Sequence, residues 1–422
     1  MSRAIPDSPE ILVVGGGPAG STVAGLLARR GRRVLLVDRA TFPRAKPCGE
    51  CLNPGAVAAL DRLGLRATVE ALDPARLSGW SLGGRWASAE AEFGSGIHGL
   101  GLARSRLDAA LLEEARRRGV EVLEGVRVES VDSAAEGDCS RPPRPRVRLR
   151  LGDEIHELRP RVVVGADGLR SRVARSLGLL ADGAPSGGGG RISLTVRVRW
   201  DDGGAPGSPR RRGRLRVRDG VTVGLAPVRA AHAGAPGEGN LSVVVEAARH
   251  GAHAGADPLG LVQEALLRAL PEERLHVVDG PWASGSFRRP VQRCWAPGVV
   301  LVGDAAGYFD PFTGQGIYRA LRSAELAAPA VDAALADAAR SNAFLADYGR
   351  RWAEEVTPGR RVQKVVDAVM QRPWLREPAL TLLGPRSLAS IIRITGDLLP
   401  ISSLWSLSGV PDPRPPSTHR PA

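Results

Sequence analysis

Residues 11–20 read ILVVGGGPAG and residues 34–38 read VLLVD, and these two stretches decide the fold. An apolar run, a glycine-rich turn and a second apolar run ending in an acid predict a strand, a helix over about Ala19 to Arg30, and a second strand. Gly31 follows this helix, and glycine is frequent just past a helix end. The pattern is typical of the first βαβ unit of a dinucleotide-binding domain.

The glycines of this turn have separate physical roles. Gly15 permits the tight turn, Gly17 lets the backbone approach a diphosphate, and Gly20 lets the helix pack closely on the sheet. Pro18 and Ala19 open the helix, whose N-terminus offers N–H groups and a partial positive charge to an anion. We therefore expect this turn to contact the diphosphate of a dinucleotide.

An acid at the end of the second strand completes the pattern. Asp38, followed by Arg39, lies 18 positions after Gly20. In dinucleotide-binding domains a carboxylate about 20 residues further on accepts a hydrogen bond from a ribose hydroxyl. We expect Asp38 and Arg39 to contribute to the same site. The alternative, a glycine-rich turn that binds nothing, stays open at this point.

Composition excludes several classes of protein. The net charge of +13 comes almost entirely from arginine, since Lys46 and Lys364 are the only lysines, and aromatic residues make up 4%. No basic patch interleaved with aromatics occurs, so we expect no nucleic-acid partner. The charge favours an anionic substrate, an acidic carrier or a membrane surface. Four cysteines in 422 residues form neither a disulfide framework nor a metal site.

The termini and apolar runs bear on localisation. Residues 1–10 lack the apolar core of a signal peptide, so we expect a cytoplasmic protein. No apolar run reaches the roughly 18–20 residues of a membrane-spanning helix. The apolar segment 391–405 either packs on the core, covers the substrate or contacts a membrane from one side.

Two further strands each deliver an acid to a turn. Residues 161–168 read RVVVGADG and end in Asp167 and Gly168, although Asp-Gly is also an ordinary turn pair. Residues 299–307 read VVLVGDAAG and place Asp304 after Gly303. Carboxyl ends of parallel strands are where ligands collect in open α/β sheets.

The next helix begins in a glycine-rich segment. Residues 310–317 read DPFTGQGI. Gly314 and Gly316 leave backbone N–H groups bare at the helix start. A flavin ring placed there can set its N1/C2=O edge against these donors, and the helix dipole stabilises an anionic reduced flavin.

Taken in this order, the three motifs resemble the FAD-binding fold shared by aromatic-ring hydroxylases, of the p-hydroxybenzoate hydroxylase type, and geranylgeranyl reductases. The resemblance spans about residues 9–330. It implies that Asp38 contacts the adenosine ribose, Asp304 the ribitol, and Arg104, in the family's Arg-x-x-x-Asp pattern, lies near the cofactor. The cofactor-binding residues implied are Gly15, Gly17, Pro18, Ala19, Gly20, Asp38, Arg39, Cys48, Gly49, Arg104, Asp167, Gly168, Gly303, Asp304, Pro311, Gly314, Gln315, Gly316 and Ile317.

A cysteine-containing segment points to the reductase branch. Residues 42–52 read FPRAKPCGECL, which is similar to that branch's Pro-Arg-x-Lys-x-Cys-Gly segment near the flavin. Cys51 stands where the branch has glycine. Cys48 and Cys51 form a C-x-x-C without a thioredoxin-like context. Residues 221–227, VTVGLAP, lack the aromatic residues that the branch often carries on a substrate-domain strand.

Three functions remain open. The first is a geranylgeranyl-reductase-like flavoprotein that reduces carbon–carbon double bonds of a hydrophobic small molecule. The second is a flavin-dependent monooxygenase of secondary metabolism that hydroxylates or epoxidises through a flavin hydroperoxide. The third is a non-catalytic lipid- or protein-binding relative. Because no second glycine fingerprint occurs, NAD(P)H or a reduced carrier would bind transiently. Candidate proton donors are Cys48, Tyr308 and Asp310.

The expected fold class is α/β. A Rossmann-like FAD-binding domain carries an inserted antiparallel-sheet substrate domain and is followed by a C-terminal helical region. The expected parts are the FAD-binding domain at 1–80, 103–180 and 285–330, the substrate domain at 81–102 and 191–284, a linker at 181–190, the helical region at 331–410 and a disordered tail at 411–422.

Overall fold

The computed structural model describes residues 9–133, 144–181, 190–201, 211–229, 237–285, 287, 290–308 and 314–382. Its strands are β1 Ile11–Val14, β2 Val34–Asp38, β3 Cys51–Leu52, β4 Ala75–Leu77, β5 Gly79–Gly83, β6 Ser88–Glu92, β7 Gly99–Gly101, β8 Glu121–Glu124, β9 Val126–Asp132, β10 Arg146–Leu151, β11 Glu154–Leu158, β12 Val162–Gly165, β13 Arg191–Trp200, β14 Arg212–Arg218, β15 Val221–Val228, β16 Glu238–Glu246, β17 Leu275–Gly285, β18 Trp295–Ala296 and β19 Val299–Leu301. Its helices are α1 Pro18–Ala28, α2 Pro54–Arg62, α3 Arg66–Glu70, α4 Arg104–Arg117, α5 Arg172–Ser176, α6 Ala247–Ala256, α7 Pro258–Ala269, α8 Gly316–Ala336, α9 Ser341–Gln371 and α10 Pro373–Leu382, with a 3₁₀ turn at Gly303–Ala306.

The first sheet has six strands in the order β18-β19-β12-β1-β2-β8. All its pairs are parallel except β18 with β19. Strands β1, β2 and β12 are buried along their whole length, as expected of a parallel sheet covered on both faces. The expected strand, helix and strand over residues 11–38 are confirmed, with α1 beginning one residue earlier than predicted.

Three chain segments meet closely where β1 turns into α1. Gly15 has φ +110°, and a Cβ added there would lie 2.4 Å from the carbonyl oxygen of Ala166. A Cβ added at Gly20 would lie 1.8 Å from the carbonyl oxygen of Gly15. Neither position has room for a side chain. The turn, the first turn of α1 and the end of β12 are therefore fixed against one another.

The second large sheet has seven strands in the order β17-β13-β16-β15-β14-β5-β6. Its pairs are antiparallel except for the parallel pair β14 with β5. Residues with period-two alternation form β13, β14 and β16, which confirms the antiparallel sheet. Apolar side chains of α6 and α7 pack on one face of this sheet. Both helices follow β16 in the chain and precede β17.

Smaller elements join the two sheets. β3, β7 and β4 form one three-stranded sheet, and β11, β10 and β9 form another. The expected substrate-domain segment at 81–102 contributes most of β5 and β6, while its end forms β7 in a small sheet. The helical region, expected at 331–410, begins earlier, with α8 at Gly316. Most of the expected linker at 181–190, the segment 391–405 and the tail 411–422 lie outside the described residues.

Helix α10 holds the tip of the β5–β6 hairpin through one carboxylate. Glu377 accepts hydrogen bonds from the backbone N–H groups of Arg85, Trp86 and Ala87 at 2.8, 3.1 and 2.9 Å. Arg376 donates to the same carboxylate at 3.0 Å. Burial raises the pKa of Glu377, but these donors outweigh it and lower the pKa to about 2. Among the residues described, no helix is long and apolar enough to cross a bilayer.

Replacing Gly20 with alanine tests the close contact at the first turn. Because the new Cβ would overlap the Gly15 carbonyl oxygen, we expect Gly20→Ala to lower the free energy of unfolding by about 3 kcal/mol. The control is Gly251→Ala inside α6, where a Cβ meets nothing within 4 Å. That change should stabilise the protein by about 0.5–1 kcal/mol. Equal effects in denaturant titrations would contradict the steric argument.

The Glu377 contact predicts a pH dependence of stability. Its folded pKa of about 2 lies below the ordinary value of 4.5, so the stabilisation is complete above pH 4.5 and is lost as the pH falls toward 2. We expect wild type to be more stable than Glu377→Gln at neutral pH and the difference to shrink over this range. Unfolding titrations at several pH values measure it. Glu113→Gln, at an exposed position of α4, is the control for loss of one negative charge, and a pH-independent difference would refute the prediction.

Candidate functional site

One cavity lies between the two large sheets. The β1–α1 turn, residues 46–51, the 3₁₀ turn and the start of α8 line one side, and strands β13 to β16 line the other. Segments that lie far apart in the sequence thus meet around a single space. The sequence motifs at residues 15–20, 165–168 and 303–316, distant along the chain, converge here.

Two helix N-termini open toward this cavity. The N-cap of α1 is Gly17 and that of α8 is Gln315, and neither helix has a side-chain cap or an acid in its first turn. Among the residues that the structure describes, a Cβ added at Gly17 would meet only Arg44, at 3.7 Å, and one at Gly316 would meet nothing within 4 Å. Contacts with this part of the chain therefore do not require glycine at these two positions. A ligand that approaches the backbone closely would, so both helix starts fit the anionic groups of FAD.

Asp38 lies beneath the first turn. Its two carboxylate oxygens accept the backbone N–H groups of Gly16 at 2.7 Å and Ala40 at 2.8 Å. The residue is buried, whereas Arg39 is exposed. Each oxygen keeps a second lone pair, so the carboxylate can hold the turn and still accept a hydroxyl. Asp38 and Arg39 do not line the cavity itself.

A lysine and an acid lie close together in the lining of the cavity. Lys46 Nζ lies 3.9 Å from Asp304 Oδ2, and both residues line the cavity. Burial, together with the charge of Arg104, lowers the pKa of Lys46, while Asp304 opposes that shift. Asp304 sits in the 3₁₀ turn that follows β19, where the sequence placed it. Lys46 is a site residue that the sequence prediction left out.

Asp167 has a different neighbourhood from Asp304. Its Oδ2 accepts the backbone N–H groups of Arg172 at 2.6 Å and Val173 at 3.2 Å, so it caps the start of α5. Burial raises the pKa of Asp167 against these hydrogen bonds. Gly168 lines the cavity, but Asp167 does not. This geometry gives the acid a structural task that the resemblance did not imply.

Arg104 is held rigidly at the start of α4. It makes two 2.8 Å hydrogen bonds to Asp108, and both side chains are buried. Arg44 approaches the same acid at 3.4 Å. Arg104 also interacts with the thiol of Cys48. The Arg-x-x-x-Asp pattern is thus an ion pair one helical turn apart, with the arginine lining the cavity.

Glu50 ties the residue 46–51 segment to both sheets. Its backbone φ is +54°. Its carboxylate accepts the backbone N–H of Arg104 at 2.8 Å and a guanidinium N–H of Arg197 at 2.5 Å. Burial raises the pKa of Glu50, and Arg197 opposes the shift. Asn240, opposite Arg197 on β16, donates to the carbonyl oxygen of Cys48 at 2.9 Å. The sequence analysis missed all three residues.

The candidate proton donors are only partly described. Cys48 and Tyr308 line the cavity, while Asp310 and Pro311 lie outside the described residues. Cys51 also lines the cavity, and burial, with Cys48 and Glu50, raises the pKa of its thiol. Both cysteines are free thiols. A protonated Cys51 is a poor nucleophile, which argues against a redox pair here.

The cavity brings together most of the residues named for the cofactor. Gly15 and Gly20 shape the β1–α1 turn without lining the cavity. Gln315 is buried and accepts a hydrogen bond from Arg319. Among the described residues, no cluster of ligands that could hold a metal ion occurs. The predicted residues that line the cavity are Gly17, Pro18, Ala19, Cys48, Gly49, Arg104, Gly168, Gly303, Asp304, Tyr308, Gly314, Gly316 and Ile317.

Comparison with known proteins supports this assignment. Residues 8–200 match the family described as FAD binding domain. A menaquinone reductase of Mycobacterium tuberculosis is 39% identical over 177 residues, which cover only 41% of this chain and 41% of that relative. A digeranylgeranylglycerophospholipid reductase of Methanothrix thermoacetophila is 28% identical over 361 residues, covering 85% of this chain and 86% of that relative.

A solved structure agrees on the fold. A flavoprotein/dehydrogenase from Cytophaga hutchinsonii superposes with a TM-score of 0.74 at 19% identity, covering 92% of each chain. At that identity the likeness shows the fold alone. The family match and the relatives confirm the FAD-binding domain and the resemblance to the superfamily of FAD-dependent oxidoreductases.

The open space at Gly17 and Gly316 predicts a separation of folding from cofactor binding. Because an alanine Cβ at either position meets no close atom of the described residues, we expect Gly17→Ala and Gly316→Ala to fold normally. Each should bind FAD at least about tenfold more weakly, a loss of roughly 1.4 kcal/mol, since the methyl group blocks backbone approach. Flavin fluorescence titration and thermal unfolding measure the two effects. Gly251→Ala is the control, and unchanged FAD affinity in both variants would refute the placement.

Proposed function

We propose that this FAD-dependent oxidoreductase reduces carbon–carbon double bonds of a hydrophobic small molecule that carries a polar group. The observation that carries the proposal is the cavity itself. Two uncapped helix N-termini, Asp304 and Lys46 form its cofactor side, and the seven-stranded sheet forms its other side. The space for a cofactor and the space for a substrate are therefore continuous.

The floor of the cavity carries most of its polar side chains along one edge and most of its apolar side chains along the other. Ser193, Asn240, Ser242 and Ser284 lie on the adjacent strands β13, β16 and β17. Leu215, Gly224, Ala226 and Trp80 lie on β14, β15 and β5. Such a floor matches an amphiphilic molecule, with hydrogen-bonding groups at one end and an apolar body at the other.

Groups of the protein bind and orient the cofactor and the substrate, and one of them protonates the substrate. When bound and reduced, FAD supplies the hydride for alkene reduction. The N-termini of α1 and α8 stabilise negatively charged groups of the cofactor, and Lys46 adds a positive charge beside Asp304. The thiol of Cys48 and the phenol of Tyr308 both line the cavity and can each deliver the balancing proton. NAD(P)H or a reduced carrier is the proposed electron source and binds transiently.

Two relatives named as reductases support this proposal. The digeranylgeranylglycerophospholipid reductase aligns over most of both chains, and the menaquinone reductase aligns at higher identity over a shorter part. Both names denote reductases of isoprenoid lipids or quinones. We propose an isoprenoid-like substrate for this chain on that similarity and on the amphiphilic floor. Peripheral contact with a membrane belongs to the same proposal.

The activity is tested by reducing the flavin anaerobically and then assaying one portion without oxygen and another in air. The purified protein should carry FAD, and dithionite should reduce it without oxygen. One portion is mixed anaerobically with a geranylgeranylated alcohol or a menaquinone, and another receives the same compound with air. We expect a product that gains two hydrogen atoms in the anaerobic portion, detected by mass spectrometry together with flavin reoxidation.

The outcomes separate the alternatives. A product that gains one oxygen atom only in air identifies a monooxygenase instead. A colourless protein that does not take up FAD excludes both enzymes and favours a non-catalytic relative. Cys48→Ser and Tyr308→Phe serve as matched variants for the proton donor. The true donor's variant should slow substrate reduction while leaving dithionite reduction of the flavin unchanged.

A further inference from the structure

Two tryptophans stand exposed on one small part of the surface. Trp86, at the tip of the β5–β6 hairpin, is 78% exposed, and Trp374, in the first turn of α10, is 70% exposed. Glu377 joins them, because it lies one turn after Trp374 and binds the backbone N–H of Trp86 at 3.1 Å. We call the hairpin tip and α10 together the tryptophan platform. Exposed indole rings on a fixed support are typical of a contact surface.

The platform is rigid. Glu377 binds three successive N–H groups of the hairpin tip, and Arg376, itself buried, donates to Glu377 and to the carbonyl oxygen of Met370. The first three contacts join the hairpin tip to α10, and the bond to Met370 joins α10 to α9. The rings are therefore presented in a fixed position, which reduces the entropy lost when they bind.

The charge around the platform is positive. Arg361, Lys364 and Arg372 are exposed basic residues of α9 and the segment before α10, and Arg85 adds an exposed cation at the hairpin tip, whereas Arg376 is buried against Glu377. The two acids of residues 359–382 are engaged, since Asp367 lies 2.9 Å from Arg191 and Glu377 holds the hairpin. Arg85 stacks on Trp86, with 5.0 Å between the guanidinium carbon and the ring centroid. This surface complements an anionic partner.

An apolar cluster leads from the platform to the cavity. Met370 and Leu380 of α9 and α10 belong to a buried cluster with Leu77 and Phe93. Trp80 and Cys51 pack against that cluster, and both also line the cavity. Apolar side chains thus extend without interruption from beneath the exposed tryptophans to the apolar edge of the cavity floor.

We infer that the tryptophan platform docks on the surface of an anionic lipid bilayer. Indole rings favour the membrane interface, and cations beside them favour anionic headgroups. Docking stands on the exposed rings and charges alone. Delivery of an amphiphilic substrate from the lipid through the apolar cluster rests in addition on the proposed function.

Vesicle flotation of the full-length protein with FAD tests the docking. Phosphatidylcholine vesicles are compared with vesicles that also contain phosphatidylglycerol. We expect binding to the anionic vesicles, weakened by added salt because exposed charges are screened. The double variant Trp86→Ala with Trp374→Ala should bind at least about tenfold more weakly, because two rings no longer enter the interface. Leu267→Ala, a 70% exposed leucine on α7, is the matched control.

A second variant guards against misfolding of the first. Arg85→Gln with Arg372→Gln should reduce the preference for phosphatidylglycerol while leaving thermal stability unchanged. No binding of wild type to either vesicle, or equal binding by wild type and both double variants, overturns the inference. Equal binding would assign any membrane contact to another surface, including the chain after residue 382. FAD content and turnover of a short-chain substrate without vesicles report separately on the proposed function.

Discussion

The contact between the first turn of α1 and the carbonyl oxygen of Gly15 is the constraint on which the site depends. It brings a helix start against the carboxyl edge of a parallel sheet, with no room for a side chain at Gly20. The first residues of α1 consequently line the cavity, and no side chain caps the start of this helix. β12 and β19 lie on the same side of β1 in the sheet, so their turns reach the same edge. Every other group of the cofactor side is placed relative to this contact.

Local sequence was sufficient wherever a residue's task involves its near neighbours. Gly15, Gly17 and Gly20 belong to one turn, and Asp304 directly follows a buried strand, so spacing and strand ends were enough to place them. The alternation along β14 likewise reports only which face of that strand is buried, whereas β13 and β16 alternate in sequence but are buried on both faces. These features are encoded within about ten residues, the range over which periodicity and turn chemistry act. Asp167 shows the limit of spacing, because its position was predicted but its hydrogen bonds to α5 were not.

The remaining site residues depend on partners far along the chain. No sequence motif singles out Glu50, and its burial is explained only by Arg197, 147 residues later. Asn240 reaches the Cys48 carbonyl across 192 residues. Lys46 is a site residue because the 3₁₀ turn brings Asp304 to it. No pattern within one segment encodes such pairs. The tryptophan platform was missed for the same reason, since Glu377 and the hairpin tip are nearly 300 residues apart.

Two hydrogen-bonded contacts join the 46–51 segment to the seven-stranded sheet, and they couple the two sides of the cavity energetically. Asn240 holds the Cys48 carbonyl, and Arg197 holds Glu50. A substrate that binds against β13 and β16 and displaces Asn240 or Arg197 would also displace the 46–51 segment beside the flavin. Thermodynamic linkage is reciprocal, so such a substrate changes the reduction potential of the bound cofactor, and reduction changes substrate affinity by the same factor. The enzyme would then take up electrons more readily when its substrate is already in place, or less readily, according to the sign of that single coupling energy.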